Sequence, residues 1–60
     1  MKYTITLMLN IHTLYKMYRT TILPNVGDTI SISETQMFVV EKRIIHINND
    51  ESITLIGHTI

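Results

Sequence analysis

Residues 2–9 alternate, with Tyr3, Ile5, Leu7 and Leu9 on one parity and Lys2, Thr4, Thr6 and Met8 on the other. A period of two is the pattern of a strand that buries one face, because successive side chains leave a pleated backbone on opposite sides. Asn10-Ile11-His12-Thr13 then reads as a four-residue connection, and residues 14–22 as the returning strand of a hairpin. Leu7, Ile11, Leu14, Tyr15, Tyr18 and Ile22 also fall at spacings of three and four, so an amphipathic helix is the alternative over residues 10–20. A strand is preferred, because two tyrosines and Thr20-Thr21-Ile22 are poor helix formers and the segment holds no Ala, Glu or Gln.

Leu23-Pro24-Asn25-Val26-Gly27-Asp28 interrupts the alternation. Pro fixes φ and lacks a donor, Asn suits turns and Gly27 can adopt φ > 0, so a loop is expected here. Thr29-Ile30-Ser31-Ile32-Ser33 alternates again, Glu34-Thr35-Gln36 is a tight polar connection, and residues 37–47 form a long strand. Its apolar parity switches: Phe38, Val40 and Ile44 share one side, Val39, Ile45 and Ile47 the other. The switch predicts a bend or bulge near residues 41–43, so that the two halves serve two packed sheets. Asn48-Asn49-Asp50-Glu51 turns the chain into a last strand over residues 52–56.

Composition supports the pattern. Ile, Val and Thr supply 23 of the 60 residues, and branching at Cβ suits a pleated sheet better than a helix. The expectation is one all-β domain over residues 1–60: a small, five-stranded, strongly bent antiparallel sheet of SH3-like or small-barrel type. The N-terminal apolar run is too short for a secretion signal or a spanning helix, and Cys is absent, so a mature cytoplasmic chain without a membrane partner is expected. Five basic and five acidic side chains cancel, so no long-range field selects nucleic acid or an anionic membrane.

The run Leu23-Pro24-Asn25-Val26-Gly27-Asp28-Thr29-Ile30-Ser31-Ile32, followed by Phe38-Val39-Val40, resembles a pattern in small phage and bacterial accessory β proteins. There a Leu-Pro-x-Val-Gly-Asp loop enters a strand, and a long bent strand with an aromatic-x-Val element follows. The resemblance covers residues 23–56. It implies an SH3-like bent sheet and a phage or mobile-element accessory protein that inhibits or modulates a host protein, for example a defence complex, in the host cytoplasm. Eleven isoleucines and no alanine agree with AT-rich coding of the kind seen in phages. The chain departs from a single SH3-like barrel in carrying apolar residues on both parities of its long strand.

Candidate chemistry is sparse. His12, His46 and His58 are the only soft metal ligands, and their spacing matches no structural zinc pattern, so neither metal nor cofactor is expected. Ser31, Ser33, Ser52, Asp28 and Glu41 sit in no nucleophile motif, so a non-enzymatic binding protein is expected. Tyr15, Lys16, Tyr18 and Arg19 interleave aromatic and basic residues, and Lys42-Arg43 lie mid-strand. A nucleic-acid or nucleotide platform built on Tyr15, Tyr18, Arg19, Lys42 and Arg43 is therefore an alternative. Tyrosines at a core edge with basic heads reaching water are the plainer explanation of the same residues.

The apolar excess is more telling. One core face takes Tyr3, Ile5, Leu7, Leu9, Ile30, Ile32, Phe38, Val40, Ile44, Ile53 and Leu55, leaving Met8, Ile11, Met17, Val39, Ile45, Ile47, Ile56 and Ile60 over. A chain this short buries only about 60% of its unfolded surface, so self-association is a natural remedy. A homodimer centred on Val39, Ile45 and Ile47, with Met17 or Ile56 adjoining, is expected beside a host or cognate protein partner. A purely structural homo-oligomerisation module is a further alternative.

Overall fold

The computed structural model describes residues 2–60. Among these residues five strands form, β1 (Tyr3–Asn10), β2 (Thr13–Thr20), β3 (Thr29–Ser31), β4 (Met37–Ile45) and β5 (Ser52–Thr59), and no helix, so residues 10–20 are the turn and second strand of a hairpin and the helical alternative fails. The strands lie in the order β2-β1-β5-β4-β3 in one sheet, curled into a half-barrel. The all-β, five-stranded, strongly bent reading holds.

Its antiparallel character does not hold throughout. Three hairpin-type pairs are antiparallel, but β5 runs parallel to β1, with Ile5 beside Ile53 and Leu7 beside Leu55. Alternation looks the same in both pairings, so this choice left no trace in the sequence. The parallel pair is the most enclosed part of the molecule, as parallel pairs usually are: Ile5, Leu7, Ile53 and Leu55 join Phe38 and Val40 as the buried core.

Irregularities in the ladders curl the sheet. In β4 an extra residue, Glu41, separates the pairs Val40 with Gly57 and Lys42 with Ile56, which is the bulge the parity switch called for. It bends one sheet rather than dividing the strand between two. Register partners share a face, so the bulge also exchanges Ile44 and Ile45: Ile45 pairs with buried Ile53 on the concave side, and Ile44 pairs with Thr54 on the convex side. Between β1 and β2, Tyr15 is the extra residue between the pairs Leu7 with Lys16 and Met8 with Leu14. This turns Tyr15 onto the concave face, where its ring stacks on Phe38 at 6.1 Å and 13°. Gly27 then holds φ +95°. It occupies the third place of a turn closed by the Asp28 N–H donating to the Asn25 carbonyl at 3.0 Å, and with Asp28 it faces Val40 two against one.

Several strand ends differ from the sequence expectation. The first turn is only Ile11-His12, because Asn10 and Thr13 pair and the Asn10 Oδ1 accepts the His12 N–H at 2.8 Å. β3 and β4 stop two residues early, whereas β5 continues through Gly57 to Thr59. Leu9 sits at the sheet end, exposed, and is not core. A Cβ on Gly57 would collide with the Val39 carbonyl oxygen, 2.9 Å from its carbon and 3.0 Å from Phe38 Cε1, so only glycine admits the bulged β4 at this distance. Among the described residues no helix is long and apolar enough to cross a membrane.

Candidate functional site

The half-barrel is open between its two terminal strands. No Cα of β2 lies within 8 Å of one in β3, whereas hydrogen-bonded neighbours sit about 4.8 Å apart. The backbone of the seam follows from hydrogen bonds elsewhere in the sheet. The Thr4 N–H donates to the Glu51 carbonyl at 2.7 Å, so even-numbered β1 residues up to the bulge turn their backbone groups toward β5. Tyr3, Ile5 and Leu7 therefore bond Thr20, Tyr18 and Lys16, and the N–H and C=O of Met17 and Arg19 point out of the free edge.

The opposite edge follows by the same logic. Val40 donates to the Asp28 carbonyl at 3.0 Å and Ile32 to that of Gln36 at 2.9 Å, so even-numbered residues of this segment face β4. Thr29 and Ser31 turn their backbone groups toward the seam. The segment is short because Leu23–Asp28 must first cross the end of the half-barrel, with Pro24 buried there. Arg43 fixes that crossing: its guanidinium donates to Asn25 Oδ1 at 2.7 Å and more distantly to the Pro24 carbonyl at 3.5 Å, while the Asn25 N–H donates to Asp28 Oδ2 at 2.7 Å.

Two hollows lie along the seam. One, of about 320 Å³, is lined by Tyr18, Thr20, Ile22, Pro24, Asp28, Thr29 and Ile30. The other, of about 240 Å³, is lined by Lys16, Tyr18, Ile30, Ser31 and Ile32. Tyr18 and Ile30 line both and so form the partition between them. Burial pushes the Tyr18 hydroxyl above its usual pKa. Among the described residues Lys16 has no ion-pair partner. A third hollow, about 540 Å³, is a depression of the β4–β5 connection lined by Ile45–Asn49 and Ser52; it collects no charged cluster.

The residues expected to contact nucleic acid do not share one surface. Tyr15 is packed on Phe38, Tyr18 is half-buried in the seam, and Arg43 faces inward to hold Asn25. Arg19 and Lys42 are exposed on the convex face but belong to β2 and β4, with β1 and β5 between them. The expected self-association set divides as well. Met17, Ile56 and Val39 lie on the convex face, where Met8 links Leu14 to Ile56 across the sheet. Ile45 is at the concave rim and Ile47 beyond the strand, 95% exposed.

Each histidine has its own surroundings. His58 Nδ1 lies 3.1 Å from Glu41 Oε1, His46 Nε2 lies 2.8 Å from Thr54 Oγ1, and His12 occupies the first turn. No group of three or more metal-ligating side chains forms among the described residues. The seam itself escaped the sequence reading: Tyr18, Lys16 and Arg19 stood out by residue type, but Thr29, Ile30 and Ser31 carried no signal beyond alternation. The chain matches no protein-family model, no curated protein and no solved structure.

Proposed function

We propose that this chain is a non-enzymatic binding protein that acts on another protein through a β surface, as a cytoplasmic phage or mobile-element accessory protein modulating a host factor would. The observation that carries the reading is the free edge of β2. Eight residues long, it leaves backbone groups unpaired and holds Leu14 and Met17 more than half exposed, at 57% and 56%. A long edge strand with exposed apolar side chains is a template for association unless something covers it.

Affinity capture of the tagged chain from native or infected cells, with both proteins and nucleic acids identified, tests the reading. A protein partner retained by the wild type and lost with Met17→Glu supports it. Retention of nucleic acid alone, falling steeply with salt, would replace it with the alternative. A second reading, a homodimer, draws on the convex apolar strip of Leu14, Met8 and Ile56 with Met17 and Val39 nearby.

A further inference from the structure

We infer that the seam between β2 and β3 is a strand-acceptor groove, and that its occupant is an extended segment of a partner polypeptide carrying a carboxylate and an aliphatic side chain two residues apart. The inference rests on the protein-binding reading above and specifies where and how the partner is held.

The open seam is the first argument. β2 and β3 lie more than 8 Å apart and so do not bond each other, yet Tyr18 and Ile30 line the same two hollows across the gap, and an added strand would need about 9.5 Å between its two neighbours. The backbone is the second. Met17 and Arg19 on one side and Thr29 and Ser31 on the other present unpaired donors and acceptors to the same gap, so an inserted strand finds partners along both edges. Such a strand would turn the half-barrel into a closed six-stranded one.

Side-chain chemistry selects the occupant. Inward side chains of a strand recur every two residues, about 6.8 Å apart. Two consecutive inward side chains therefore straddle the partition of Tyr18 and Ile30, one in each hollow. The hollow with Ile22, Pro24 and Ile30 suits an aliphatic group, and Asp28 on its wall repels a carboxylate. The other hollow is lined by Lys16, which has no ion-pair partner among the described residues, and by no acid, so it favours one. An antiparallel match to β2, the longer edge, puts the aliphatic residue before the acidic one in the partner's sequence.

The test uses a blocked heptapeptide, Thr-Val-Thr-Ile-Thr-Glu-Thr, with the full chain. Saturable binding is expected, with exchange of the Met17, Arg19, Thr29 and Ser31 amides slowed ~tenfold or more at saturation. N-methylation of alternate peptide residues should abolish it, because the backbone bonds are then missing. Lys16→Glu should weaken binding about two- to fivefold, the range of an exposed ion pair, and a peptide with Lys in place of Glu should recover it. Absence of saturable binding at millimolar peptide overturns the inference, as does protection confined to Met17 and Arg19, which means simple edge addition. Equal binding of the N-methylated peptide also overturns it. Protection that rises with protein concentration and without peptide assigns the groove to a second copy instead. If the peptide fails while a partner is still captured in a Met17-dependent way, the seam assignment falls and the protein-binding reading stands.

Discussion

Gly57→Ala isolates the cost of the bulged β4 lying so close to β5. The new methyl would collide with the Val39 carbonyl oxygen and also press on the Phe38 ring, whose Cε1 lies 3.0 Å from the Cβ position. The obstacle is backbone in a paired ladder, so relief requires β4 to move. Overpacking of this kind costs about 1–3 kcal/mol, and displacing one or two ladder hydrogen bonds adds about 0.5–1.5 kcal/mol each. Loss of unfolded-state freedom returns about 0.4–1 kcal/mol, leaving a net destabilisation of about 2–4 kcal/mol. A 60-residue domain at the usual stability per residue has only about 3–9 kcal/mol in all. Thermal unfolding followed by far-UV circular dichroism should show Tm lowered by roughly 10–30 °C. Gly27→Ala is the contrasting control. Its Cβ would meet nothing within 4 Å, and only the φ of +95° resists, so about 1–2 kcal/mol is expected. An unchanged Tm for Gly57→Ala, or a larger loss for Gly27→Ala than for Gly57→Ala, refutes the reasoning.

Arg43→Ala removes the 2.7 Å bond to Asn25 Oδ1 and should lower stability by about 0.5–1.5 kcal/mol in urea titrations; a midpoint equal to wild type would mean the loop holds itself. If the convex strip forms the homodimer, Ile56→Asp should give monomers in sedimentation while Ile45→Asp, on the other face, leaves the association intact; the reverse result moves the interface to the concave rim. Tyr18 has a folded pKa above its unfolded value near 10 because burial disfavours the phenolate. Its contribution is therefore fully present below pH 10 and is lost as pH rises through the folded pKa. Tyr18→Phe should flatten the alkaline fall in stability, and equal slopes for the two proteins would contradict the assignment.

The sequence carried the strands and not their neighbours. Alternation at Tyr3, Ile5 and Leu7 located β1 because one-sided burial imposes a period of two. The switch at residues 41–43 foretold the bulge because an extra residue must reverse parity. The same extra residue also exchanges the faces of Ile44 and Ile45, which strict alternation places the other way. The last strand runs past the expected residue 56 through Gly57, a residue poor in strands by propensity that the close approach of β4 demands here. Arg43 stands out in the sequence by its charge beside Lys42, and its bond to Asn25, 18 residues away, is brought about only by the curl of the sheet. The seam was illegible for a related reason: which strands become edges is set by strand order, and no local pattern encodes it.

The parallel pairing of β1 with β5 dictates how the chain can be made. Ile5 meets Ile53 and Leu7 meets Leu55, so half-cores at opposite ends of the sequence must find each other. Closing a loop of nearly fifty residues costs about 3 kcal/mol before any contact compensates it. Non-local pairing of this sort places the fold among slowly folding topologies. The β1–β2 hairpin can form from local contacts without the strand that covers Ile5 and Leu7, and those side chains stay uncovered until β5 docks. Until then the hairpin carries an exposed apolar face, and the slow docking of β5 sets how long that face is open to chaperones and proteases.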